Sequence, residues 1–479
     1  MQYKWVALSN TTIGILMSSL DTNIVLIALP TIASSLRGMN ALDVLWVLLG
    51  YQLVVASVLV NFGRLSDIFG RVRLYKMGFA IFTIGSGLCS ISQTGAELIG
   101  FRLIQAVGAG FLFSNSAAIV TDAFPPEERG SALGINQISI VVGSVLGLIL
   151  GGVLTSLIGW SSIFWVNLPI GTFATLWAHF RLKEISSPSH SRKQIDLAGN
   201  LTFAGALVTA LLALTLYAIV GISLLVTLEL LSLSAIFFVL FFFEEGRVAD
   251  PMFDLSLFRN RIFSVGNETI FLNALSRGSF TLVMVFYLQG PIMHFTPLQA
   301  GIFLVPLSVA LSIMGPISGT LSDRYGQRLF VVIGLTLSTI GFLIMTNIGG
   351  VLSFYSLIIP LVLIGAGMGI FASPNRASIM SAAPPERRGL ASGISTTLVN
   401  VGNTLSIGIA FILMGSSIPR SALDSIFAGT SSGLLTGSLT EFVHSVHIVF
   451  IASAVMLILS IMLYLTFANK KMWEHAVVS

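Results

Sequence analysis

The sequence predicts an all-α polytopic membrane protein: two six-helix bundles with two further helices inserted between them. Three observations carry that expectation. Of the 479 residues, 55% are hydrophobic and only 9% charged, where a soluble domain carries about 25% charged residues. The apolar residues gather into about fourteen segments of the ~20 residues that a membrane crossing requires. Two patterns from the first half also return in the second.

The segments lie near 5–30, 42–62, 74–92, 97–120, 130–155, 160–180, 197–219, 222–243, 262–289, 297–318, 329–347, 352–373, 389–414 and 444–467. With the N-terminus in the cytoplasm, nearly all of the 24 Lys and Arg residues fall in cytoplasmic loops. Only Arg37 and Arg420 fall outside, and Arg102 and Arg277 lie within segments, a strong positive-inside bias. Both termini are then cytoplasmic, which requires an even number of helices. The first segment contains Asp21 and runs to Pro30, unlike a cleaved signal peptide. The net charge of +4 is spread over short loops and serves topology, so no nucleic-acid partner is expected. Cys89 is the one cysteine, which excludes a disulfide framework. There is no Gly-rich phosphate loop with Lys-Ser/Thr, against direct ATP drive. The six histidines form no metal-ligand cluster, and no nucleophile–base set suggests an enzyme. No cofactor is expected.

The repeat explains the helix number. Gly63-Arg64-Leu65-Ser66-Asp67-Ile68-Phe69-Gly70-Arg71 returns as Gly319-Thr320-Leu321-Ser322-Asp323-Arg324-Tyr325-Gly326-Gln327. Pro125-Pro126-Glu127-Glu128-Arg129-Gly130 returns as Pro384-Pro385-Glu386-Arg387-Arg388-Gly389. The separation exceeds what six helices need, and the surplus matches the two segments near 197–219 and 222–243. The expected units are 1–185, 186–255 and 256–479. Such repeats place a solute site between the halves near the membrane midplane.

These residues resemble the major facilitator superfamily, in its fourteen-helix drug:proton antiporter branch, over essentially the whole chain. Gly63 through Arg73 matches the superfamily's G-x-L-x-D-x-x-G-R-x-R signature. Leu20-Asp21-Thr22-Asn23-Ile24-Val25-Leu26-Ile27-Ala28-Leu29-Pro30 is similar to the branch's first-helix pattern, departing at Asn23 and Leu26. Arg102 with Gln105 and Gly108 resembles the fourth-helix Arg motif. Gly134, Gly143, Gly147, Gly151 and Gly152 resemble the fifth-helix antiporter motif, with Leu148 where the family usually has Pro. Trp160 to Gly171, with Asn167-Leu168-Pro169, and the run from Asp250-Pro251-Met252 to Arg261 also look like this branch. The resemblance implies a major facilitator fold and a monomer in the cell membrane, with protons and a small molecule as partners beside the lipid bilayer. It implies a proton-driven antiporter exporting amphipathic, cationic or neutral, organic compounds. Leu148 keeps a proton-coupled uptake symporter open, and a non-transporting membrane sensor is the alternative from another class.

Candidate residues follow from cost. A charge at the bilayer centre costs roughly 2.5–3.5 kcal/mol even on insertion scales, so Asp21, Arg102, Glu229, Glu268 and Arg277 need a partner or a wet cavity. Asp21, midway along the first segment, can carry a proton or a cation but not comfortably both; the alternative is a static pair with a buried Arg. The repeat spacing carries Asp21 onto Arg277, which makes the two candidate partners across a cavity, with Asn273 on the same helical face as Arg277. Glu268 lies nine residues before Arg277, about 180° around the helix, and is either an entry-side relay or an end-of-helix charge. The resemblance implies a part for Arg102 in proton coupling; the alternative is a structural hydrogen-bonding hub. Glu229, on an inserted helix, reads as packing or snorkelling. Asp67 can accept bonds at a helix N-terminus and pair with Arg71 or Arg73, a latch bounded by Gly63 and Gly70 and echoed at Asp323; the resemblance implies that it favours one access state. Gly143, Gly147 and Gly151 line one face for close helix packing. Trp46, Tyr51, Gln52, Asn136, Gln137 and Tyr287 are candidates for lining the cavity. The Ser-, Thr- and Gly-rich segment 416–442 reads as a flexible outer loop or hairpin.

Overall fold

The structure, a computed structural model, describes residues 2–125, 128–185, 196–248, 251, 253–347, 349, 354–384, 387–429 and 436–467. Pro126, Glu127, residues 186–195, Asp250, Met252, Pro385, Glu386, Lys470 and Lys471 therefore lie outside the described residues. All regular structure within them is helical. The first half comprises α1 (Tyr3–Ser35), α2 (Ala41–Phe69), α3 (Arg71–Ser90), α4 (Gly95–Ala123), α5 (Arg129–Leu157), the short α6 (Ser162–Trp165) and α7 (Asn167–Arg181). Next come α8 (Leu197–Thr215) and α9 (Leu224–Glu245). The second half holds α10 (Arg261–Arg277), α11 (Phe280–Gln289), α12 (Pro297–Tyr325), α13 (Gln327–Met345), α14 (Phe354–Ala382), α15 (Arg388–Gly415), α16 (Arg420–Phe427) and α17 (Thr436–Phe467).

Among the described residues, 12 helices are long and apolar enough to cross a membrane, α10 and α11 counting as one span. The remaining two expected segments are helical but fall outside that group. The first turns of α3 carry Arg71, Arg73 and Lys76. The sixth segment is broken at Val166, leaving α7 only 15 residues. Both are nonetheless packed, α3 on α4 and α7 on α3.

Several helices outrun the bilayer. α2, α4, α5 and α12 each have 29 residues, about 43 Å at 1.5 Å per residue, against a hydrocarbon core of ~30 Å. The repeated motif therefore belongs to helix ends, not loops: Gly63–Phe69 is the last part of α2 and Gly319–Tyr325 that of α12. Only Gly70 (φ 102°) and Gly326 (φ 90°) turn the chain. That backbone region favours glycine, because a β-carbon clashes there.

The face carrying the N-terminus and the α2–α3 turn is here the near face, its opposite the far face. The two halves meet toward the far face. Gln289 Nε2 donates to the Ile27 carbonyl at 2.9 Å, and Thr404 Oγ1 donates to Gln52 Oε1 at 3.3 Å. Glycines let backbones touch: a β-carbon on Gly152 would lie 2.6 Å from Leu298 Cα, and one on Gly301 2.4 Å from the Leu148 carbonyl oxygen. α8 packs between the halves, against α2 and α15.

The segment expected to be a flexible loop contains α16, which corrects that reading over Arg420–Phe427. Its Ala422, Leu423, Ile426 and Phe427 are buried, and Phe427 packs on Phe286 (ring centroids 4.2 Å) and Phe411 (4.5 Å). Asp424 Oδ1 accepts from the Ala41 amide at 2.9 Å, tying α16 to the start of α2. An apolar stripe, not loop entropy, decides this segment. Phe427→Ala is expected to cost about 3–5 kcal/mol as a core cavity, read as a lowered melting temperature of the detergent-purified protein.

Candidate functional site

Asp21 is fully buried and takes three hydrogen bonds. Arg102 Nη1 donates to its Oδ2 at 2.6 Å. Gln105 Nε2 and Asn167 Nδ2 donate to its Oδ1 at 2.8 and 2.9 Å. The donors come from α4 and α7, so the carboxylate joins three helices. Helix spacing arranges this: Arg102 and Gln105, three apart, share a face of α4, and Arg102 Nη1 also donates to Gln105 Oε1 at 2.7 Å. Asn167 Nδ2 reaches Ser86 Oγ of α3 at 3.1 Å, and Ser86 donates to the Phe164 carbonyl. The Tyr51 ring lies 4.1 Å from the Arg102 guanidinium carbon, a cation–π contact that suits a desolvated charge. Arg102 Nε and Nη2 are buried without a partner.

The structure thus pairs Asp21 with Arg102, not with Arg277. Spacing put Arg277 at a matching position, but α4 presents its guanidinium directly to α1. Arg277 belongs to no ion pair among the described residues, and its Nε is buried and unpartnered. Asn273, on the same face, is buried. Glu268 is exposed, with Ser264 Oγ at 3.3 Å. Glu229 is exposed on α9, a helix mostly on the outside of the fold.

Near the termini, Arg71 holds two carboxylates. Its Nη2 lies 2.8 Å from Asp67 Oδ1 and its Nη1 2.9 Å from both oxygens of Asp122. The α3 N-terminus is occupied by Glu184, not Asp67: Glu184 accepts from the amides of Arg71, Val72 and Arg73 at 2.9, 3.0 and 3.3 Å. The cluster therefore joins α2, α3, α4 and the stretch that follows α7 within one half. The Arg73 side chain is exposed, as is Asp323, whose repeat-related partner position holds Gln327. Gly63 has open space around it.

Gly143, Gly147 and Gly151 meet the carbonyls of Leu16, Leu20 and Ile24 on α1, where added β-carbons would lie 2.7, 2.7 and 3.0 Å away. The seam brackets Asp21. Gly152 faces the other half, and Gly134 meets nothing. Among the cavity candidates, Tyr51 covers Arg102 and Gln52 reaches Thr404. Asn136 is buried between α1 and α4, accepting from Thr12 at 3.1 Å, so it packs within the bundle. Gln137 is exposed and Trp46 half-buried. The Tyr287 hydroxyl donates to the Gly349 carbonyl at 2.8 Å, which aims it toward the far face instead of a central cavity. Sequence reasoning missed Ser86 and the bond from Asn167 to Asp21; the signal was a serine and an asparagine in otherwise apolar segments.

The sequence profile of the Major Facilitator Superfamily matches residues 11–260 and 269–476. The chain is 35% identical over 419 residues to the riboflavin transporter RibZ of Clostridioides difficile, covering 86% of this chain and 88% of that protein. It is 30% identical to multidrug resistance protein 3 of Bacillus subtilis (89% and 82% covered). It is 28% identical to the tetracenomycin C resistance and export protein of Streptomyces glaucescens (92% and 86%). Among solved structures, a bacterial homologue of the human lysosomal transporter Spinster superposes with a TM-score of 0.69 at 15% identity, covering 99% of this chain and 98% of that one. A profile spanning both halves, relatives aligned over most of their length and the shared helical architecture agree: the chain belongs to the Major Facilitator Superfamily of membrane transporters, in the branch that includes multidrug resistance proteins.

Proposed function

We propose that the protein is a proton-driven exporter of amphipathic organic compounds that alternates between two access states in the cell membrane. The observation that carries this is the buried Asp21–Arg102 pair, a carboxylate that can take up one proton at the contact of three helices. Protonation at Oδ2 cancels the attraction that holds Arg102, and the guanidinium keeps only Gln105 Oε1 among its hydrogen bonds. A rearrangement of α1 reaches the closure between halves through one neighbour. The α5 glycines rest on α1 within a turn of Asp21, and α5 also carries Leu148 and Gly152 at the contact with α12. Each proton entering across 100 mV supplies ~2.3 kcal/mol. The names of the multidrug resistance and tetracenomycin export relatives support the direction. The riboflavin transporter supports a second reading, a carrier dedicated to one ring-bearing solute.

The test is proton flux in proteoliposomes with an imposed pH gradient, challenged with a panel of drugs and riboflavin. Wild type is expected to release the gradient on adding a substrate, and Asp21→Asn, at equal amounts of folded protein, is expected to lose the response. Equal flux from both removes Asp21 from coupling. A response to riboflavin alone selects the second reading.

A further inference from the structure

Arg277 is held differently from Arg102. Arg102 is neutralised by Asp21. Among the described residues, Arg277 forms no ion pair and donates no hydrogen bond, and no anionic side chain neighbours it. Its Nε is sealed and unpartnered, yet the residue is part-exposed. The terminal nitrogens are therefore what meets open space.

Helical phase gives their direction. Gly266, Ile270 and Asn273 share the Arg277 face of α10, at spacings of eleven, seven and four. A β-carbon on Gly266 would touch Ile379 of α14 at 2.6 Å, and Asn375 of α14 donates to the Gly266 carbonyl at 3.0 Å. This face looks toward α14, and the exposed Glu268 lies on the opposite one.

Arg277 also sits where the span breaks. Gly278 and Ser279 separate α10 from α11, and a β-carbon on Gly278 would lie 2.5 Å from the backbone of Asn403. The buried Asn403 Oδ1 has no partner, and its neighbour Thr404 bonds Gln52 of the first half. Interrupted helices at the junction of two repeats are where transporters build solute sites. A second cation lies on the way in from the near face: Arg376 of α14 beside the Asn375–Gly266 contact, about 16 Å before Arg277 at 1.5 Å per residue. Among the described residues its one hydrogen bond is a 3.4 Å contact from Nη2 to Thr396 Oγ1, and it has no ion pair.

We propose that the transported compound is an organic anion, its carboxylate, sulfonate or similar group bound by Arg277 and received first by Arg376. This rests on the transport reading above and replaces the cationic or neutral solute that the family resemblance implied. A guanidinium set within a membrane span without a counter-charge is costly, and a bound anion supplies the bidentate partner that its geometry fits.

Two xanthene dyes of opposite charge isolate the question: fluorescein, anionic, and rhodamine 6G, cationic. Binding to the full-length protein in neutral-lipid nanodiscs is read by fluorescence anisotropy. Fluorescein is expected to bind wild type, to bind Arg277→Gln ~10-fold or more weakly, and to recover in part with Arg277→Lys, which also controls for folding. Arg376→Gln is expected to slow fluorescein association more than it changes release. Fluorescein binding unchanged in Arg277→Gln, or a wild-type preference for rhodamine 6G, overturns the proposal. The proton-flux assay separates the two readings. Rhodamine-driven flux that needs Asp21 but not Arg277 keeps proton-driven export and discards the anion. Arg277-dependent fluorescein binding without flux does the reverse.

Discussion

Arg102→Leu is expected to lower the stability of the purified protein by about 3–5 kcal/mol, because it strands the Asp21 carboxylate in a sealed interior. The double variant D21N/R102L is expected to regain most of that loss. An amide at position 21 can still accept from Gln105 and Asn167, which now approach Oδ1 at 2.8 and 2.9 Å. No buried charge then remains at the site. Removing one partner of a buried ion pair costs far more than removing both, since the pair has already forfeited its hydration. The measurement is a thermal or denaturant melt of all four members of the cycle in one detergent. A double variant as unstable as Arg102→Leu would mean that the leucine fails on packing grounds, through the lost Tyr51 contact at 4.1 Å. The stable double variant is expected to bind solute without moving protons.

Gly152→Leu is expected to abolish transport while leaving the protein folded. The glycine lies at the far end of α5, where a β-carbon would sit 2.6 Å from Leu298 Cα and 2.8 Å from the Pro297 carbonyl oxygen. Backbone cannot retreat as a flexible side chain can, so the halves must separate. Overpacking of this kind costs about 1–3 kcal/mol, which moves a two-state balance by roughly 5–150-fold. Ile27, wholly buried beneath this closure with its carbonyl held by Gln289, reports the change. In a Cys89→Ser background, Ile27→Cys is expected to react with an impermeant maleimide only when Gly152→Leu is present. Gly147 is the contrast, because its contact with the Leu20 carbonyl lies within one half. Substitution there is expected to reduce the yield of folded protein instead of shifting access. Labelling at Ile27 without Gly152→Leu would show that the far face is already open.

The all-helical membrane architecture, the repeat and a buried Asp21 were legible because each is written in local composition: apolar length, duplicated turns, a carboxylate in an apolar run. The partner of Asp21 was not. Repeat spacing selects positions of equal depth and therefore pointed to Arg277, whereas contact depends on how far each helix is rotated about its axis. Packing alone fixes that rotation, and it turned Arg102 inward. The same limit explains Tyr287, an aromatic on a span that meets a loop carbonyl, and Asn136, which bonds within its bundle. α16 was hidden by its Ser- and Gly-rich surroundings, although Leu423, Ile426 and Phe427 already form an apolar stripe at helical spacing. The Asp67–Arg71 pair was legible as local charge, but the third member of the cluster, Asp122, and the cap from Glu184 come from distant parts of the chain.

The far-face seam between α5 and α12 is made where Gly152 and Gly301 let backbone meet backbone. Glycine has no rotamers to freeze, so these two positions add no side-chain entropy cost when the contact forms. At these two points, the seam has no leucine or phenylalanine to pull out of a neighbour when it parts. A joint built this way gives up fewer interlocked side chains when it parts than one sealed by large apolar residues at the same points. On the proton-driven reading proposed above, the few kcal/mol that a single proton delivers would then be enough to set which side of the membrane the carrier addresses.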